Sequence, residues 1–144
     1  MRAVDTNVLV YAGRVEPPEH AIAEAVLRAL ATGPEPWVLP WPCVYEFLRV
    51  VTHSRVFRPP TPLHEAWAEV ELLLDSPSVV PMAEGVHHRE VLRDLLRTVP
   101  ITGNILHDAH IAALLIEHGV DEIITADEDF RRFLGLKVIN PFRP

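Results

Sequence analysis

Short apolar runs alternate along the chain with stretches whose apolar residues recur every three or four positions. Ala3-Val4, Trp37-Val38-Leu39, Val79-Val80, Ile123-Ile124-Thr125 and Lys137 to Ile139 read as short strands. Val8 to Ala12 predicts a helical turn, followed by a loop at Glu16-Pro17-Pro18. From His20 to Ala31, the residues Ile22, Ala25, Val26, Ala29 and Leu30 keep helical spacing, and Gly33-Pro34 ends the run. Pro42 suits the first turn of a helix that carries Val44, Phe47, Leu48 and Val51 to the core. A Pro-rich turn at 59–62 separates it from a helix over Leu63 to Leu74. His88 to Arg97 is amphipathic, with Val91, Leu92, Leu95 and Leu96 on one side. Asn104 is expected to cap a helix from Ile105 to His118 that stops at Gly119. Apolar strands alternating with helices predict an α/β fold, a mostly parallel sheet covered on both faces. In such sheets ligands bind beyond the carboxyl ends of the strands.

Length and composition narrow the class. At 144 residues the chain suits one domain spanning 1–144, and 49% apolar content excludes a disordered protein. No apolar run approaches the roughly 18 residues that cross a bilayer. Met1-Arg2 is followed at once by Asp5 and Asn7, which leaves no signal-peptide core, so the expected location is the cytoplasm. A lone cysteine, Cys43, excludes an internal disulfide and a thiolate zinc site; it reads as a small buried hydrophobe. The net charge of −7 is unusual for a protein that handles nucleic acid, which ordinarily presents excess positive charge.

Four carboxylates stand where an apolar stretch ends or a helix begins: Asp5, Glu46, Asp108 and Asp127, with Asp129 close to the last. Each has a local explanation. Asp5 suits a turn or helix cap, and Asn7 either orients its carboxylate or caps the same turn. Glu46 can pair with Arg49 one turn on. Asp108 falls in a first helical turn, where the dipole favours its ionised form. Asp127 can cap a tight loop. As a group they ask for more, because two carboxylates ~4 Å apart repel by about 4 kcal/mol at an effective dielectric near 20. Such a cluster either binds a cation or protonates. Oxygen ligands with open positions suit Mg²⁺ or Mn²⁺, and such ions can activate water for phosphodiester cleavage. The histidines offer a rival metal site. His107 and His110 lie three apart on one helix and His87-His88 are adjacent, but no HExxH pattern accompanies them, so all eight are read as core or surface residues.

These segments resemble the PIN-domain ribonucleases, most closely the VapC toxins of prokaryotic toxin–antitoxin pairs. VDTNVLVYA is similar to the family's opening strand with its first acid, Asp5. PWPCVYEFLRVVTH resembles the helix of the second acid, Glu46, and TGNILHDAHIAALLIEHG that of the third, Asp108. ITADEDF resembles the closing motif, with Asp127 as the fourth acid and Asp129 a possible fifth. The resemblance implies a three-layer α/β/α fold, Mg²⁺ or Mn²⁺ as cofactor, RNA cleavage, a homodimer and a small antitoxin partner. It also implies that Asn7 and Thr125 support the acids. Arg49, Arg55, Arg58, Arg131 and Arg132 are then candidates for RNA phosphates, with a solvated face as the alternative for each. Two other readings compete: a non-catalytic interaction protein on the same fold, and an aspartyl phosphatase, which would need an Asp where Asn7 stands.

Overall fold

The computed structural model describes residues 1–144. Its strands are β1 (Arg2–Val4), β2 (Trp37–Pro40), β3 (Val79–Met82), β4 (Glu122–Ile124) and β5 (Lys137–Ile139). The helices are α1 (Thr6–Gly13), α2 (His20–Thr32), α3 (Trp41–Val51), α4 (Leu63–Leu74), α5 (His88–Thr98) and α6 (Ile105–Glu117), with a short 3₁₀ turn at Glu128–Arg132. The sheet order is β3-β2-β1-β4-β5, and every neighbouring pair is parallel. The sheet is thus wholly parallel where a mostly parallel one is predicted.

Helix α1 packs on both α2 and α3, and α3 on α4, whereas α5 packs on α6 and α6 on the 3₁₀ turn. The strand order explains that division. The chain steps outward from β1 to β2 to β3, then returns across the sheet to β4. Because parallel crossovers are right-handed, this reversal carries α5 and α6 to the opposite face. Strands buried on both sides need near-continuous apolar sequence, and β2 is buried at all four positions. The core is one contiguous cluster in which Trp37, Ile123, Phe130 and Leu114 are fully enclosed. Asp5 and Thr125 are the two polar residues buried with it. Both stand at the β1–β4 boundary, where the strand order reverses and where such sheets form their ligand crevice.

One helical expectation needs correction. Asn104 does precede α6, but its own backbone is helical (φ −64°, ψ −23°) and its side chain makes no capping bond. The preceding turn satisfies that end instead, through His107 N–H to the Asn104 carbonyl and Leu106 N–H to Gly103. The other end behaves as expected, with Gly119 at φ +73°, a left-handed conformation that suits glycine. Helix α5 is amphipathic as expected, and its apolar side is only partly covered: Val91, Leu92 and Leu95 are half-buried, Leu95 against the core, and Leu96 is exposed.

Replacing a bonded cap by alanine costs roughly 1 kcal/mol, so Asn104→Ala, with no such bond to lose, is expected to change stability by less than about 0.5 kcal/mol. Urea unfolding measures it, and a loss near 1 kcal/mol would show that a cap forms in solution.

Candidate active site

Asp5 follows β1 directly, and its amide donates to the Ile124 carbonyl of β4 at 3.1 Å, extending the parallel pairing by one residue. That places its carboxylate at the carboxyl edge of the sheet, 5% exposed. Thr6 N–H donates to Oδ1 at 2.7 Å, Thr125 Oγ1 to Oδ2 at 2.7 Å, and Asn7 Nδ2 to Oδ2 at 3.1 Å. Thr125 Oγ1 in turn accepts from the Asp127 amide at 2.9 Å, and Asn7 Oδ1 accepts from the Ala126 amide at 3.1 Å. The network ties the end of β1 to the loop after β4. Burial raises the Asp5 pKa above the ordinary carboxylate range, against the Thr125 and Thr6 hydrogen bonds, while the charge of Asp127 raises it further.

The loop held in this way delivers Asp127 and Asp129 to Asp108 on α6, with carboxylate oxygens of the three within 4.8 Å of one another. Asp127 also accepts from the Asp129 amide at 2.8 Å and caps the 3₁₀ turn. Its capping and clustering roles therefore coexist. Asp108 is pushed up to about 7, by burial first and then by the charges of Asp127, Asp5 and Asp129, with Arg132 opposing. The α6 dipole favours the ionised form as expected, but an interaction of about 0.3–1 kcal/mol is outweighed by burial beside three carboxylates.

Glu46, on α3, lines the same cleft of about 590 Å³ as Arg49, His107, Asp108, Asp127 and Asp129. It is not one of the three clustered acids. Its carboxylate accepts from Arg49 Nε at 3.0 Å, and that hydrogen bond holds its pKa low. Arg49 therefore faces the cleft. Arg55 and Arg58 lie past the end of α3 and do not line it; Arg58 Nε donates to the Ser54 carbonyl at 3.3 Å. Arg131 pairs with Glu128, and Arg132 with Asp129 at 3.2 Å. The structure also joins groups that the sequence reading kept apart, since Glu84, His88 and His110 converge between the loop after β3, α5 and α6. The His107/His110 spacing hinted at a ligand helix, but its partners lie about a helix and a loop away.

A parallel α/β sheet with oxygen-only acids at its point of strand reversal presents the kind of donor set that a hard divalent cation takes. The donor set fits such an ion, because Asp108, pushed up to about 7 by burial and by the neighbouring carboxylates, would be relieved by a cation among them. Residues 2–135 match the PIN domain, and the chain belongs to that family. It is 40% identical over 141 residues to Ribonuclease VapC43 of Mycobacterium tuberculosis, covering 98% of this chain and 95% of that one. With Ribonuclease VapC48 of the same species it shares 33% identity over 138 residues, 96% of this chain and 95% of the relative. Among solved structures, VapC20 of M. tuberculosis, described as a Sarcin-Ricin loop cleaving toxin, superposes with a TM-score of 0.66 at 18% identity, over 91% of this chain and 93% of that one. FitAcB from Neisseria gonorrhoeae gives 0.64 at 20% identity over the full length of both. At these identities the two structures speak for the fold alone.

A raised Asp108 pKa has a definite sign for stability. Without metal, the folded chain keeps a proton that the unfolded chain releases near pH 4, so the contribution of Asp108 to stability is fullest below about 4 and is lost as pH rises through about 7. Asp108→Asn is expected to remove that fall. In chelator-treated protein the variant should be the more stable form at pH 8, with the advantage shrinking toward pH 4. Denaturant midpoints across pH check this, and parallel curves for the two proteins would contradict it.

Proposed function

We propose that the chain is an endoribonuclease that cuts RNA phosphodiester bonds with Mg²⁺ or Mn²⁺, as the toxin of a VapBC-type toxin–antitoxin pair. The observation that carries this reading is the Asp108, Asp127 and Asp129 cluster, whose carboxylates approach within 4.8 Å on the edge where the strand order reverses. The ribonuclease names of relatives matched over nearly the whole chain support the same chemistry. Asp108, Asp127 and Asp129 hold the cation, with Asp5 beneath them and Glu46 across the cleft as the remaining acids. Bound there, a divalent ion supplies water activation and stabilises charge on the leaving oxygen. Thr125 and Asn7 fix Asp5 and the Asp127 loop so that the acids are in place before substrate arrives.

Arg49 is the cleft's guanidinium, held by Glu46 until a phosphate competes for it. Arg55 and Arg58 follow α3 outside the cleft, where they are the candidates for RNA phosphates beyond it. The antitoxin partner has a physical seat away from the acids. Leu9, Ala12, Leu27, Phe47, Val70 and Leu73 line an apolar groove of about 220 Å³ suited to the side chains of an inserted segment. The chain works as a single domain over residues 1–144, as a homodimer and in the cytoplasm. No helix is long and apolar enough to cross a membrane.

Purified protein incubated with total RNA and Mn²⁺ is expected to yield discrete fragments that vanish with chelator. Asp108→Asn should lower cleavage by at least about 100-fold, the scale of losing one preorganised electrostatic group. Intact RNA under every divalent ion tried would favour the non-catalytic interaction protein. Equal cleavage by the variant would remove Asp108 from the mechanism.

A further inference from the structure

We propose that Glu84, His88 and His110 form a second metal site, for a transition-metal ion of the Zn²⁺ type, that clamps α5 to α6. None of the three belongs to the acid cluster. One ligand atom from each lies within 4.8 Å of the others, drawn from the loop after β3, the first residue of α5 and the middle of α6. Two imidazoles and one carboxylate are the donor set for zinc and its neighbours, whereas the acid cleft offers oxygen only.

The surroundings are built to hold these ligands. Glu84 already bonds His110 Nε2, and the His88 and His110 rings meet edge to face at 5.6 Å. Glu117, its side chain 4% exposed, accepts from the Gly85 and His87 amides at 2.9 Å each, which pins the backbone on both sides of the site. His118 Nε2 meets the Ala83 carbonyl at 2.9 Å and holds the same loop. A Cβ at Gly85 would approach Glu117 Oε2 to 2.4 Å, so the close seating of this loop depends on glycine.

A charged His110–Glu84 pair would account for two of the three residues but not for His88. Its Nδ1 is buried without a hydrogen-bond partner and faces Glu117 Oε1 at 3.8 Å. Histidine ligands bind metal through one nitrogen and direct the other N–H to a carboxylate or carbonyl. The Glu117 carboxylate is the acid on the Nδ1 side of His88, 3.8 Å away and so short of a hydrogen bond, and the proposed ion takes Nε2. The clamp also answers a structural need, because α5 has no fully buried residue to anchor it. Glu84 and His110 line a groove with Glu46 and Arg49, so the ion's charge would lie beside the approach to the acid cleft.

The test uses untagged, chelator-treated protein carrying Asp108→Asn and Asp127→Asn, so that the acid cleft does not compete and the outcome is independent of the nuclease reading. Titration with Co²⁺ is expected to give about one bound ion per chain, with visible ligand-field absorption that Zn²⁺ abolishes by displacement. Adding His110→Gln or Glu84→Gln, both at the surface, should weaken binding by more than about 10-fold without changing the metal-free circular dichroism. His88→Gln should do the same. Failure to bind Co²⁺, or binding indifferent to the His110 and Glu84 substitutions, would overturn the site.

Discussion

A carboxylate buried at the end of a central strand must be satisfied where it stands, and in this fold the groups that satisfy Asp5 also build the rest of the site. Thr125 donates to Asp5 and accepts from the Asp127 amide, while Asn7 reaches Asp5 and the Ala126 amide. One buried carboxyl group thus helps to fix the course of the chain after β4. That course brings Asp127 and Asp129 up to Asp108. Since Asp5 and Thr125 are the two polar residues buried with the core, the network sits in a low-dielectric setting where its bonds are strong and any missing partner is costly.

The same burial makes the acids costly as anions. Asp108 shows the conflict most clearly, its pKa pushed up to about 7 by desolvation and by Asp127, Asp5 and Asp129. Arg132 opposes this, but it is also bonded to Asp129. Arg49 is engaged by Glu46. A cation is the economical resolution, because it converts mutual repulsion into shared attraction. The net charge of −7 is then compatible with a nuclease, because part of the excess sits where a bound divalent cation would neutralise it.

Much of this was legible in the sequence. Periodicity and proline or glycine punctuation locate the strands and helices, since each element is short and bounded by a residue with one physical meaning. Pro42 opens α3 and Gly119 closes α6. The acids were legible as positions, and their local explanations proved real: Asp5 accepts from Thr6, Asp127 caps the 3₁₀ turn, and Glu46 pairs with Arg49. What the sequence did not carry was tertiary. The charge state of Asp108 depends on neighbours remote in the chain, which override its place in a first helical turn. Asn104 has a capping side chain, but its backbone is already helical. Glu84, His88 and His110 show no compact motif, because the loop after β3 and the packing of α5 on α6 bring them together.

The central claim is that Asp108, Asp127 and Asp129 together hold a hard divalent cation. Electron paramagnetic resonance of Mn²⁺ titrated into the protein at pH 8 tests it directly, because bound Mn²⁺ leaves the sharp signal of the free ion. The expected result is saturable binding by the wild-type chain that is lost when Asp108→Asn and Asp127→Asn are combined. Undiminished binding by that double variant, or none by the wild type at millimolar Mn²⁺, would contradict the account.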